Sequence, residues 1–203
     1  MARYTGPKHK ISRREGVNLT GTRSRSLERR LRVPPGQHSH ARPRRPTEYG
    51  RQLREKQKLK RHFGMLEKQF RRVFAEADRS QAPTGQELLR LLEQRLDSVV
   101  YRLGFAPTRP MARQLVNHGH VLVNGRRVDI ASFRVPQGAT IALKPIAAEI
   151  PAVIEALTET SGRVPSWLSR NGNEPEGRVV GPPVVEEFDM PVDVELVIAF
   201  YTR

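Results

Sequence analysis

The sequence predicts an α+β protein, and three observations carry that prediction. Apolar residues recur every three or four positions from Leu66 to Leu103. A short helical pattern then runs through Gly119 into brief β-branched runs that turn on Asn124-Gly125. Residues 1–47 hold many arginines and prolines with no apolar periodicity. These imply an extended basic N-terminal arm over 1–46, a mostly helical part from 47 onward, and a small unit of helix and strand from about 95.

Composition narrows the function classes. The chain has 203 residues, enough for one or two domains. Its net charge is +15 and its pI is about 11.2. A protein this basic repels itself unless an anion is near, which points to nucleic acid first and an anionic membrane second. No run approaches the roughly 18 apolar residues of a membrane helix. The opening "MARYTGPKHKISRREG" is basic but has no apolar stretch after it, unlike a secretory signal. There is no cysteine, which excludes disulfides and thiolate metal sites and fits a cytoplasmic setting. The charge is uneven: residues 1–80 carry 23 Lys/Arg against 7 Asp/Glu, whereas residues 151–203 carry 4 against 9. Anion-binding capacity therefore lies in the N-terminal half.

The elements follow in order. The arm is too poor in apolar surface to offset its ordering cost and is expected to order only against a partner. "TEYGRQLREKQKLKRHF" opens a helix at Thr47, and Arg51, Arg54, Lys58 and Arg61 share one basic face. After Gly64, Leu66, Phe70, Val73, Phe74 and Ala77 make an apolar stripe. Pro83-Thr84 opens a third helix through Leu88, Leu92, Leu96, Val99 and Leu103, ended by Gly104. A short helix over 108–119 precedes strands at Val121–Val123, Arg126–Val128 and Thr140–Leu143. A helix is expected over Glu149–Thr160 and irregular chain over 161–183. For 192–202, offsets of 0, 3, 4 and 7 among Val194, Val197, Ile198 and Tyr201 favour helix, while β-branched content favours strand.

The stretch "RPMARQLVNHGHVLVNGRRV", residues 109–128, is the candidate site. Arg109 and Arg113 are four apart and share a helix face. A helix N-terminus offers free N–H groups to phosphate, and guanidinium adds a planar fork of donors. The hairpin, turning at Asn124, is expected to bring Arg126 and Arg127 to the same edge. Ordinary surface charge is the alternative for each arginine taken singly. His118 and His120 flank Gly119, where they either stack on RNA or simply close the helix. No phosphate-binding loop or dinucleotide fingerprint is present. Glu186, Glu187 and Asp189 cluster without sign of a cleft for acid–base chemistry.

Residues 95–145 resemble the S-four RNA-binding domain. With "MARYTGPKHKISRREG", "PPGQH" at 34–38, "EYGRQLREKQKLKRHFG" at 48–64 and "VPSWL" at 164–168, the whole chain resembles the bacterial small-subunit ribosomal protein S-four family. The resemblance implies a mostly helical first domain, 47–94 with 178–203, into which an S-four domain over 95–177 is inserted. It implies a structural, non-enzymatic role on the ribosome in the cytoplasm. Such a protein binds small-subunit ribosomal RNA at a multi-helix junction early in assembly. It lies beside neighbouring ribosomal proteins near where mRNA enters, and influences decoding accuracy. RNA contacts are then expected from Arg3, Lys8, Arg13, Arg14, Arg44 and Arg45 of the arm, from the α-helical basic face, and from Arg109, Arg113, His118, His120, Asn124, Arg126 and Arg127. Some members hold zinc through N-terminal cysteines. This chain has none, and His9, His38 and His40 alone make a poor ligand set, so no metal or cofactor is expected.

The alternative is an RNA-modifying enzyme of the pseudouridine synthase type, some of which carry an S-four domain; Arg95-Leu96-Asp97 resembles the tripeptide that holds their catalytic Asp, although here it falls within an expected helix with Leu96 in the apolar stripe. Fewer than 60 residues follow the RNA-binding domain, too few for its catalytic domain. A DNA-binding regulator is a third reading.

Overall fold

A computed structural model describes residues 4–37, 45–159, 164–188 and 191–202. The chain forms two compact units, residues 1–85 with 190–203 and residues 86–189. The expected boundaries at 94/95 and 177/178 fall between two helices and inside a strand.

The first unit is helical. It opens with α1 (Lys8–Glu15) and α2 (Arg25–Arg30), where an extended arm was expected. The reason is local chemistry too sparse to register as periodicity. Gly16, at φ +69, ends α1, and the Ser24 hydroxyl caps α2 by accepting from the Leu27 N–H. Leu19 and Leu27 are buried, and so is the Glu15 side chain, which accepts from Arg54 and Arg61. Next come α3 (Glu48–His62), capped by the Thr47 hydroxyl on Gly50 N–H, and α4 (Glu67–Asp78), which buries Phe70, Phe74 and Ala77.

The second unit begins within α5 (Thr84–Glu93), followed by α6 (Leu96–Arg102). A single helix over 84–103 was expected. The break falls at Gln94-Arg95 because the backbone there is extended and pairs with a distant segment: Leu96 N–H donates to Phe133 C=O at 2.8 Å and Val135 N–H to Gln94 C=O at 2.9 Å. Spacing of leucines cannot show such a pairing, since both helices keep their apolar sides buried.

Then come α7 (Arg109–Asn117), β1 (Val121–Val123), β2 (Arg126–Arg127) and β3 (Thr140–Leu143). A short α8 (Pro145–Ala148) precedes α9 (Pro151–Glu159), which is the helix expected over 149–160. Within the stretch expected to be irregular, two short strands form, β4 (Leu168–Arg170) and β5 (Glu176–Val179), joined by turns; its residues 161–163 lie outside the described chain. The sheet is antiparallel in the order β2-β1-β3-β5-β4. Gly177 lets β5 approach closely, since a β-carbon there would stand 2.6 Å from Leu103 and 3.0 Å from the Ser169 carbonyl. The core gathers Leu96, Val99 and Leu103 of the segment at α6, Leu115 and Val116 of α7, Ile141 of β3, Val153 of α9 and Trp167.

The chain then returns to the first unit as α10 (Val194–Tyr201), a helix despite its β-branched residues. The Asp193 carboxylate caps it by accepting from Glu195 and Leu196 N–H groups. Packing on α3 and α4 settles the rest: Phe200 lies 5.7 Å from Tyr49, and Tyr201 4.5 Å from Phe74, ring to ring. Lys56 projects over the Phe200 ring at 4.4 Å.

Candidate nucleic-acid interface

The quoted stretch folds as its residues suggest locally. Thr108 caps α7 by accepting from Met111 N–H, and Pro110 occupies its first turn. Gly119, at φ +71, releases the chain into β1. Asn124 and Gly125 take φ +49 and +76, the pair of positive values that a tight two-residue hairpin turn requires.

The two arginines of α7, however, are not placed as expected. Arg109 is buried rather than displayed to phosphate: its guanidinium donates to Glu93 at 2.7 Å and to the Ser98 hydroxyl at 3.0 Å, and it lies 4.8 Å from the Tyr101 ring. Arg113 donates to Asp97 through Nε at 2.9 Å, with its side chain 15% exposed. Burial by itself would raise the Glu93 carboxyl above its ordinary range; Arg109 and Arg102 outweigh that and hold it below. The sequence offered one sign of this arrangement, an acid at 93 between the buried Leu92 and Leu96. A buried acid needs a cationic partner.

The hairpin meets α7 at the other end. The Arg127 side chain lies over Gly119, so that the guanidinium occupies the space a β-carbon there would need. It also reaches Asp129 at 3.6 Å. The His118 and His120 rings stand 6.1 Å apart, with His118 exposed and His120 half-buried. Residues 118–120 and Arg127 are therefore brought together, with exposed Arg126 beside them on β2. Asn124 serves the fold itself. Its side-chain oxygen accepts from Thr140 N–H at 2.8 Å, tying the turn to β3.

In the first unit, Lys8, Arg14, Arg45 and Arg51 are exposed. Arg13 instead donates to the Val33 and Pro34 carbonyls, each at 3.0 Å. The expected basic face of α3 is substantially ion-paired: Arg51 with Glu48, Arg54 and Arg61 with Glu15, and Lys58 with Glu55. Lys56 and Lys60 on the same helix both bind Glu67, at 2.9 and 2.7 Å. Burial pushes the Glu67 carboxyl up, but hydrogen bonds from Lys60, Lys56 and the Tyr201 hydroxyl bring it down to about 2. Arg3 and Arg44 lie outside the described residues.

Asp97, of the tripeptide that suggested an enzyme, is buried and accepts from both Arg95 and Arg113. Held so, it is a structural anion rather than an exposed nucleophile. Among the described residues no group of three or more His, Asp or Glu could hold a metal ion, and no helix is long and apolar enough to cross a membrane. His38 and His40 lie outside them.

Comparison with known families matches residues 3–93 to the ribosomal protein S4/S9 N-terminal domain and residues 94–141 to the S4 domain. The chain is 48% identical, over its full length and theirs, to the small ribosomal subunit protein uS4 of Natranaerobius thermophilus. It is 46% identical to that of Brevibacillus brevis and 47% to that of Chloroflexus aurantiacus, again with both chains wholly covered. With that identity across the entire length, the chain belongs to the uS4 family of ribosomal proteins.

Proposed function

We propose that this protein is a structural, non-enzymatic RNA-binding component of the small ribosomal subunit. Ribosomal RNA is the ligand of its exposed basic surface. Full-length similarity to relatives named as small-subunit proteins supports this, as does the S4 domain match at 94–141. The observation that carries it is the Arg127 guanidinium lying over Gly119 between His118 and His120, in a chain of net charge +15. Rigid cations and flat imidazoles suit an RNA backbone and unstacked bases. Lys8, Arg14, Arg45 and Arg51 supply further contacts from the first unit.

The finer reading is that the protein joins a multi-helix RNA junction early in assembly. There it lies beside neighbouring ribosomal proteins near the path of incoming mRNA, and its docking bears on decoding accuracy. The whole-chain resemblance supports this, as does the acidic surplus of residues 151–203, which suits protein neighbours better than phosphate.

The deciding experiment is equilibrium binding of the purified protein to folded small-subunit ribosomal RNA and to duplex DNA at matched salt. Strong preference for the RNA is expected. Equal affinity for both sinks the reading.

A further inference from the structure

The cations of α3 are largely engaged by acids of the same unit: Arg54 and Arg61 by Glu15, Lys58 by Glu55, and Lys56 and Lys60 by Glu67. The next helix is the opposite case. One side of α4 buries Phe70, Phe74 and Ala77. On the other side stand Lys68, Arg72 and Arg79, all exposed, with exposed Ala75 between the two arginines. Intervals of four, three and four residues place these four positions in one straight row, because a helix turns about 100° per residue. Arg79 is the C-cap and keeps right-handed backbone, so the row runs about 16 Å along the helix. Among the described residues no acid forms an ion pair with Lys68, Arg72 or Arg79, although Glu76 lies one turn from both arginines. Arg71 is exposed as well, but it stands about 60° round the helix, where its charge acts on the Tyr201 hydroxyl.

Like charges a turn apart repel, and α3 relieves that repulsion with nearby acids. On α4 the repulsion between Lys68 and Arg72 stands. A surface built only for solubility mixes both signs, whereas a row of one sign is the footprint of an outside polyanion. A membrane surface fits poorly, because a helix lying in one needs large apolar side chains beside its cations, and no large apolar side chain of α4 is exposed. The row is also rigid, since packing of Phe70 and Phe74 holds the helix behind it. A preformed row loses less freedom when it docks.

We infer that the solvent face of α4 is a further RNA-binding surface: Lys68, Arg72 and Arg79 contact phosphates along one strand of folded ribosomal RNA, and Ala75 lets that strand lie close to the helix. This rests on the RNA-binding reading above and adds residues that the basic pattern of α3 obscures.

The test uses the full-length protein and folded small-subunit ribosomal RNA at several salt concentrations. The variant Lys68→Gln/Arg72→Gln/Arg79→Gln keeps good helix formers at exposed positions, so its Tm should stay near that of the wild type. The dependence of log affinity on log salt should fall by about two to three units. A second pair of variants keeps every cation. Ala75→Glu puts an acid inside the row, and Thr158→Glu adds the same charge on the exposed side of α9, beside Glu155. Ala75→Glu should weaken binding about tenfold, and Thr158→Glu by less than about twofold.

A triple variant with the wild-type salt slope, or an Ala75→Glu protein that binds no worse than Thr158→Glu, overturns the inference and leaves the functional reading intact. If the wild-type protein itself binds duplex DNA as tightly as the ribosomal RNA, the functional reading fails and takes this inference with it.

Discussion

Arg127 lies across Gly119, its guanidinium filling the space where any other residue at 119 would carry a β-carbon. Gly119 also stands at φ +71, where L side chains are strained. Gly119→Ala is therefore expected to cost about 1–3 kcal/mol of stability. It should also displace Arg127. The first effect is read as a lower Tm and the second as weaker binding to folded ribosomal RNA. A variant that melts and binds like the wild type would show that the glycine's neighbour has ample room to move.

Arg126 and Arg127 are the exposed cations of the hairpin. Replacing both by alanine should reduce the dependence of log affinity on log salt by about two units, if each neutralises one phosphate. Replacing Arg109 should leave that slope unchanged, because its guanidinium is buried against Glu93. Its loss would appear instead as lower stability, of about 3 kcal/mol for a broken buried pair.

Deletion of residues 1–37 removes more than charge. Leu19 and Leu27 are buried, and Glu15 is the acceptor for Arg54 and Arg61. The shortened protein is expected to melt at a lower temperature as well as to bind RNA less well. Glu15→Ala isolates the ion-pair part, with an expected loss of about 2 kcal/mol in denaturant unfolding.

Acid should weaken the first unit through Glu67. Its carboxyl is held at about 2, below the usual 4.5. A lowered folded-state value contributes stability that is fully present above the unfolded value and lost as pH falls through the folded one. The affected window thus runs from about pH 4.5 downward toward 2. Because the side chain is 45% exposed, solvent screening reduces the effect to about 1 kcal/mol. Comparing Tm for the wild type and Glu67→Gln at about pH 6 and about pH 3 checks this. The difference between the two proteins should shrink at the lower pH.

The legible parts of this fold were those governed by neighbours in sequence. The stripe on α4, the cap at Thr47, the stop at Gly104 and the Asn124-Gly125 turn all act over a few residues. What stayed hidden depended on distant partners. Arg95 leaves the helical pattern because its backbone pairs near Arg134, and β5 becomes a strand because β3 and β4 flank it. The site divided in the same way. The helix, the hairpin and the exposure of Arg126 and Arg127 follow from spacing. The burial of Arg109 turns on Glu93, sixteen residues earlier on another helix, and no count of arginines reveals which of them an acid has already engaged.

The return of α10 to α3 sets an order of events during synthesis. Residues 86–189 are contiguous and can close as soon as they leave the exit tunnel. The helical unit cannot: Lys56, Tyr49 and Phe74 wait for Phe200 and Tyr201, which are translated after the whole of residues 86–189. A nascent chain with residues 86–189 outside the tunnel and α10 still within it would thus carry a finished sheet unit and an unfinished helical one.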